Sequence, residues 1–201
     1  MTTQLLFPIP VYSSEVKDIG NIQLEFKKVL DEVEFKRNDG WDNETHSLSD
    51  PTFSEDLIGK YNLKHFEKEL LNHLVQYANS VGFTYDIPYK TISWLTETNR
   101  GQYAHRHSHG SCDVSGVYYI QTTGKDGDLW IENPMNQLLE SSLFFWKYSP
   151  ERMYIKPKVG HLILFPSWLK HGINKNETDS RRISFSFNIF FDRTAIYAGL
   201  V

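Results

Sequence analysis

Histidines at 105, 107 and 109 stand in one short stretch, YAHRHSHGSCDVSG, which holds three of the chain's eight imidazoles. In an extended segment, side chains at i and i+2 leave the same face of the pleat, so these rings can converge on one point. Two imidazoles from one strand and a third from a distant loop are the minimal facial site for a divalent cation with open coordination positions. The candidate third ligand is His171, which follows the strand-like run in PKVGHLILFPSWLKHGI. The same spacing is also compatible with a solvated cluster that binds nothing.

A second chemical grouping lies at the end of the chain. In RRISFSFNIFF the residues Ile183, Phe185, Phe187 and Ile189 alternate with Arg182, Ser184, Ser186 and Asn188. Strand periodicity puts the first set on one face and the second on the other. If the polar face is enclosed, Arg182 can fork onto a carboxylate with Ser184 as a second donor. If it is open, this is an ordinary amphipathic strand.

Positioning these groups requires a rigid scaffold, and the chain supplies one. Ile22, Phe26, Val29, Leu30 and Val33 recur at helical spacing, predicting an amphipathic helix over about 20–36. A second helix, about 62–81, carries Leu63, Phe66, Leu70, Leu74, Ala78 and Val81 on one face. His65 and His73 fall on it as structural positions. Between the helices, residues 38–53 form a polar loop punctuated by Gly40 and Pro51, and His46 in it reads as a solvated side chain.

After Gly82 the pattern turns to strands: Lys90–Thr96, Tyr103–His109, Ser115–Thr122, Asp128–Glu132, Leu143–Tyr148, Met153–Lys156, His161–Phe165 and Arg181–Phe191. Turn signals such as GKDG, SPER and PKVG separate them. Short strands at regular spacing after two helices predict a mainly β fold, a sandwich or jelly roll with the helices packed outside. The 201 residues form one domain on this reading, with an N-terminal arm and helices at 1–82 and the β core at 90–191.

Composition narrows the function classes. No apolar run approaches the roughly 18 residues of a membrane span, and MTTQLLFPIP lacks the basic and apolar regions of a secretory signal. The expectation is a cytoplasmic protein without a membrane partner. A net charge of −4 with mixed signs gives no broad basic surface for a nucleic-acid backbone. The single cysteine, Cys112, excludes an intramolecular disulfide and an all-cysteine metal site.

The order HxH, SGVYY, GDLWIENP, PKVGHLILFPSWLKHGI and RRISFSFN over about residues 90–191 resembles the iron(II)/2-oxoglutarate-dependent oxygenases, in particular their bacterial and bacteriophage branch. The opening LFPIPVY is similar to that branch's start. The resemblance implies a double-stranded β-helix, cupin-like, whose mouth holds Fe(II). It implies His107 and His171 as ligands, with His109 where most of the superfamily has a carboxylate. Arg182 and Ser184 match the RxS that grips the far carboxylate of 2-oxoglutarate. Tyr118 or Tyr119 adds a hydroxyl there, since only one of two neighbours on a strand faces inward. O2 is the co-oxidant in that family, and the expected reaction is hydroxylation of a small-molecule or peptide substrate with release of succinate and CO2.

The departure at position 109 matters, because an imidazole leaves the cation at +2 where a carboxylate would lower it to +1. Asp113 is the alternative ligand, since GQYAHRHSHGSCD also fits a cupin-like spacing of G-x5-H-x-H-x3-acid. A cupin-type metalloenzyme without 2-oxoglutarate and a non-catalytic jelly-roll module are therefore the competing functions. Homo-oligomerisation, for example through the YAGLV tail, is left open. Residues 38–53 and 133–142 are candidate lids by length and polarity.

Overall fold

Both faces of the last long strand are buried, and the rest of the molecule is arranged to cover them. The computed structural model describes residues 8–38, 41–42, 44–82, 88–135, 150–192 and 194. Its elements are β1 (Tyr12–Glu15), α1 (Ile19–Glu32), β2 (Ser47–Leu48), α2 (Leu57–Tyr61), α3 (Lys64–Ser80), β3 (Tyr89–Thr98), β4 (Ala104–His107) and β5 (Val114–Gln121). They continue with β6 (Leu129–Glu132), β7 (Arg152–Ile155), β8 (His161–Pro166), β9 (His171–Ile173) and β10 (Arg182–Phe191).

The strands form two antiparallel sheets. One runs β1-β8-β5-β10-β3-β2 and the other β4-β9-β6-β7. From β3 to β6 and again from β7 to β10, successive strands alternate between them, as in a double-stranded β-helix. The jelly-roll expectation, with helices on the outside, is met. Ile183, Phe185, Phe187 and Ile189 of β10 pack with Phe26 and Phe66 from the helices into the larger core. Phe26 lies 4.8 Å and Phe66 5.1 Å from the Phe185 ring, in the tilted and edge-on arrangements that aromatic quadrupoles favour. A smaller core between the sheets contains Val117, Tyr119, Leu129, Ile131, Ile163 and Phe165.

The helical register was legible, but its boundaries shift. The second helix is preceded by a separate short one, because Asn62 takes a left-handed conformation with φ 53° and closes α2 by donating to the carbonyls of Gly59 and Ile58. Asparagine tolerates that conformation and ends helices for this reason. Three short strands carry too few residues for a readable alternation: β1, β2 and β9. They pair with β8, β3 and β4/β6 respectively. The expected strand Leu143–Tyr148, with Trp146, lies outside the described residues, as do the YAGLV tail and residues 136–142 of the second candidate lid. Among the described residues, no helix is long and apolar enough to cross a membrane.

Candidate active site

Register places two imidazoles side by side. β4 and β9 pair through Ala104↔Ile173 and His107↔His171, with an irregularity between the two pairs. The rings of His107 and His171 therefore lie 4.3 Å apart, although the residues are far apart in sequence. His107 Nδ1 is 2.7 Å from the carbonyl of His105, and His171 Nδ1 is 2.9 Å from that of Leu169. A carbonyl can only accept, so in both rings Nδ1 carries the proton and Nε2 keeps its lone pair.

His109 arrives differently from expectation. It lies two residues beyond the end of β4, so it does not share a pleat with His107. Its backbone N–H donates to Ser167 O at 2.9 Å, which bends the chain back so that the ring reaches the other two. The His109 ring stands 5.0 Å from His107 and 5.2 Å from His171. One donor atom from each of the three lies within 4.8 Å of the others. Among the described residues this is the group arranged to hold a cation.

Burial keeps these rings neutral, as ligation demands. It holds His171 well below the ordinary imidazole value, with the neighbouring His107 adding to the effect. Burial lowers His107, even though its ring is open to the cavity. For His109, burial and the proximity of His107 bring the value to about 4.

The alternative ligand does not join them. Asp113 Oδ2 accepts the backbone N–H of Phe191 at 2.8 Å, fastening the end of β10, and Asp113 is not among the convergent donors. His105 is also diverted: its Nε2 pairs with Asp42 Oδ2 at 3.0 Å on the rim. His161 bonds Ser13 Oγ at 2.7 Å across β1 and β8, a structural role.

At the other end of β10 lies a buried cation. Arg182 is fully buried, and Ser184 is 1% exposed on the same face. The polar face of this strand is thus enclosed rather than solvated. Arg182 Nη1 donates to the carbonyls of Asp126 and Gly127, and Nη2 to Thr98 Oγ1. The turn that supplies those carbonyls needs glycine: Gly127 has φ 102°, and a Cβ there would lie 2.2 Å from Asn174 O.

Arg182 Nε has no partner among the described residues, and neither does the buried hydroxyl of Tyr119. Tyr119 shares the inner face with Arg182, and burial pushes its pKa up to about 12, so it remains a donor. Two buried donors without acceptors, one of them cationic, have the chemistry to take an anion, since leaving such groups unpaired is costly. The Tyr118 hydroxyl is buried without a hydrogen-bond partner among the described residues too. Tyr118 points the other way and stacks on Phe26 in the helix-facing core. Of the two tyrosines, only Tyr119 can serve this site.

A cavity of about 510 Å³ reaches from the triad to Tyr119, with Arg182 and Ser184 buried behind its lining. The triad and Tyr119 line it, together with Trp94, Thr96 and Ser186. Residues of the 38–53 loop form one wall, because β2 and a Thr45↔Tyr103 bridge pin that loop to the barrel. His46, expected to be solvated, is instead buried against Trp41, with Nδ1 donating to Tyr103 O at 3.1 Å. Nothing in its polar surroundings in the sequence signalled that burial. Thr98 and Asp126, which hold Arg182 and its turn, were likewise missed.

The fold and the site define a double-stranded β-helix with a triad at its mouth. Residues 92–188 match the family described as "Putative 2OG-Fe(II) oxygenase". That stretch, just under half of the chain, is similar to the iron(II)/2-oxoglutarate-dependent oxygenases. Among solved structures, a prolyl hydroxylase from Trichoplax adhaerens, in complex with a hypoxia-inducible-factor peptide fragment, superposes with a TM-score of 0.61. That pair shares 14% identity over 95% of this chain and 87% of the other. HygX from Streptomyces hygroscopicus, with nickel and 2-oxoglutarate bound, gives 0.60 at 12% identity, covering 90% and 83%. A Pseudomonas putida prolyl-4-hydroxylase gives 0.56 at 13% identity, covering 92% and 94%. These likenesses are of fold. No curated protein matches the sequence.

Proposed function

We propose that this protein is an iron(II)- and 2-oxoglutarate-dependent dioxygenase that hydroxylates a small-molecule or peptide substrate and releases succinate and CO2. The observation that carries the reading is the pairing of two features in one β-helix: a convergent triad of neutral imidazoles and a buried, incompletely satisfied arginine. His107, His109 and His171 would hold the iron. Arg182 and Tyr119 would hold the far carboxylate of 2-oxoglutarate, with Ser184 beside them on the same inner face. The solved HygX structure, with nickel and 2-oxoglutarate, supports that choice of cofactors for a barrel of this shape, and the prolyl hydroxylases support hydroxylation.

The residues fit both groups. His107, His109 and His171 would offer an iron three neutral nitrogens, a facial set that leaves room for the oxo acid and O2. When bound, the metal couples oxidative decarboxylation of the oxo acid to oxygen insertion into a C–H bond of the substrate. The protein does the rest. Backbone carbonyls fix the tautomers of His107 and His171, so their lone pairs are aimed before binding. Arg182 neutralises an acid that would otherwise be buried unpaired, and the Tyr119 hydroxyl donates to it. Trp94 lines the approach to the triad, where it excludes water.

Reconstituted with Fe(II) under ascorbate, the protein should release succinate from 2-oxoglutarate slowly even without its true substrate. No succinate above a metal-free control would remove the reading. The two tyrosines provide a finer check. Loss of a hydrogen bond to a charged group costs about 1.5–3 kcal/mol, so Tyr119→Phe should raise the KM for 2-oxoglutarate by roughly 10- to 150-fold. Tyr118→Phe, whose ring faces the helices, should leave that KM unchanged. Equal effects from the two would contradict the inner-face assignment.

A further inference from the structure

The third imidazole lacks the backbone carbonyl that fixes the other two, and its Nδ1 meets a side chain instead. Asn188 lies on the inner face of β10, and its amide nitrogen stands 3.3 Å from His109 Nδ1. The amide's other end is 2.9 Å from Ser115 Oγ. Ser115 Oγ lies 3.7 Å from Cys112 Sγ, and Cys112 Sγ reaches the carbonyl of His109 itself at 3.4 Å. The contacts close a ring that starts and ends on His109, and all of its members except His109 are largely buried.

The direction of hydrogen bonding around that ring decides what His109 can do. If the amide nitrogen donates to Nδ1, the proton of the neutral imidazole sits on Nε2, and that nitrogen cannot bind a cation. A half-turn of the amide exchanges its oxygen and nitrogen without moving the other heavy atoms. Nδ1–H then donates to Asn188 Oδ1, the amide nitrogen donates to Ser115 Oγ, the serine hydroxyl donates to Cys112 Sγ, and the thiol donates to His109 O. Every group is satisfied, and His109 Nε2 is free. This second direction gives His109 the same tautomer that His105 O and Leu169 O impose on the other two ligands.

We propose that Asn188 is the positioning residue of the metal centre: it presents its amide oxygen to His109 Nδ1–H and so makes the third imidazole a ligand. The inference rests on the triad reading given above. It also explains how a histidine serves at position 109, where a carboxylate would need no tautomer control. Ser115 is the element that holds the amide in that orientation.

The test is Co(II) binding to the full-length protein, followed by competition titration and by the visible d–d spectrum, with the thermal transition of each metal-free variant as a folding control. Partners that orient a metal-bound histidine typically contribute about 10- to 100-fold in affinity, so Asn188→Ala should weaken Co(II) by that range and alter the spectrum. Asn188→Asp, which can only accept, should restore both the affinity and the three-imidazole spectrum. Ser115→Ala should weaken binding less than Asn188→Ala. An Asn188→Ala protein within about twofold of wild type, or an Asn188→Asp protein as weak as the alanine variant, would overturn the proposal. Should Asn188→Ala fail to fold, the Asp variant and Ser115→Ala still decide it: Co(II) affinity and spectrum unchanged in Ser115→Ala would count against it. Wild-type protein that binds no Co(II) would remove the triad reading as well, whereas wild-type binding with indifferent Asn188 variants would remove only this one.

Discussion

His171→Ala and His107→Ala should each abolish iron-dependent turnover and lower metal affinity by well over 100-fold, more than the roughly 10- to 100-fold expected for a residue that only orients a ligand. The reason is geometric. These two residues face each other across β4 and β9, and each has its lone pair aimed by a carbonyl of its own strand or loop. Removing either leaves two donors, one of which lies outside the strands. The measurement is a metal titration beside succinate release, on protein shown to fold. His161→Ala, at the far β1–β8 edge, should leave metal binding unchanged, since its partner is Ser13. A triad variant that binds iron as the parent does would show that the imidazoles meet without a cation between them.

Arg182→Met should have the second largest effect, and of a different kind. Truncating one partner of a buried charge-assisted contact costs about 2–5 kcal/mol, so 2-oxoglutarate affinity should fall by roughly 30- to several thousand-fold. Metal affinity should stay near that of the parent, because Arg182 is anchored on Thr98 and the 126–127 turn, not on the triad. Arg182→Lys should not rescue, since an ammonium cannot satisfy two carbonyls and a hydroxyl while gripping a carboxylate. The two variants therefore separate the functions: loss of His171 removes the metal, and loss of Arg182 removes the oxo acid. Isothermal titration of 2-oxoglutarate into the metal-loaded variant is the check. Unchanged affinity in Arg182→Met would favour a cupin-like chemistry that uses no oxo acid.

Much of this was legible in the chain, for identifiable reasons. Strand β10 alternates strictly over eight residues, Arg182 to Ile189, so its two faces could be sorted from sequence, whereas whether the polar face was enclosed or solvated could not. The 107–171 pairing was also within reach, because HLILFP and its following loop have strand length and a histidine at the end. The position of His109 was less accessible. A period of two assigns it to the same pleat as His107, but β4 stops at His107, and a backbone bond to Ser167 then turns the chain. No local pattern encodes a contact with a residue so distant.

The same limit explains the other differences. Asp113 has an acceptable metal spacing in sequence, but the start of β5 places its carboxylate against the Phe191 N–H. His46 sits among polar residues that predict exposure, but a two-residue strand and one bridge draw it into the cavity wall. In each case a tertiary hydrogen bond overrode a local signal.

The central claim is that one barrel holds both a cation and an acid, and a crystal structure of the anaerobic Fe(II) complex with 2-oxoglutarate tests it most directly. The account predicts iron density within bonding distance of His107, His109 and His171, and one carboxylate of the oxo acid on Arg182 Nε and the Tyr119 hydroxyl. Iron held by Asp113 in place of His109, or an oxo acid that leaves Arg182 Nε without a partner, would contradict it.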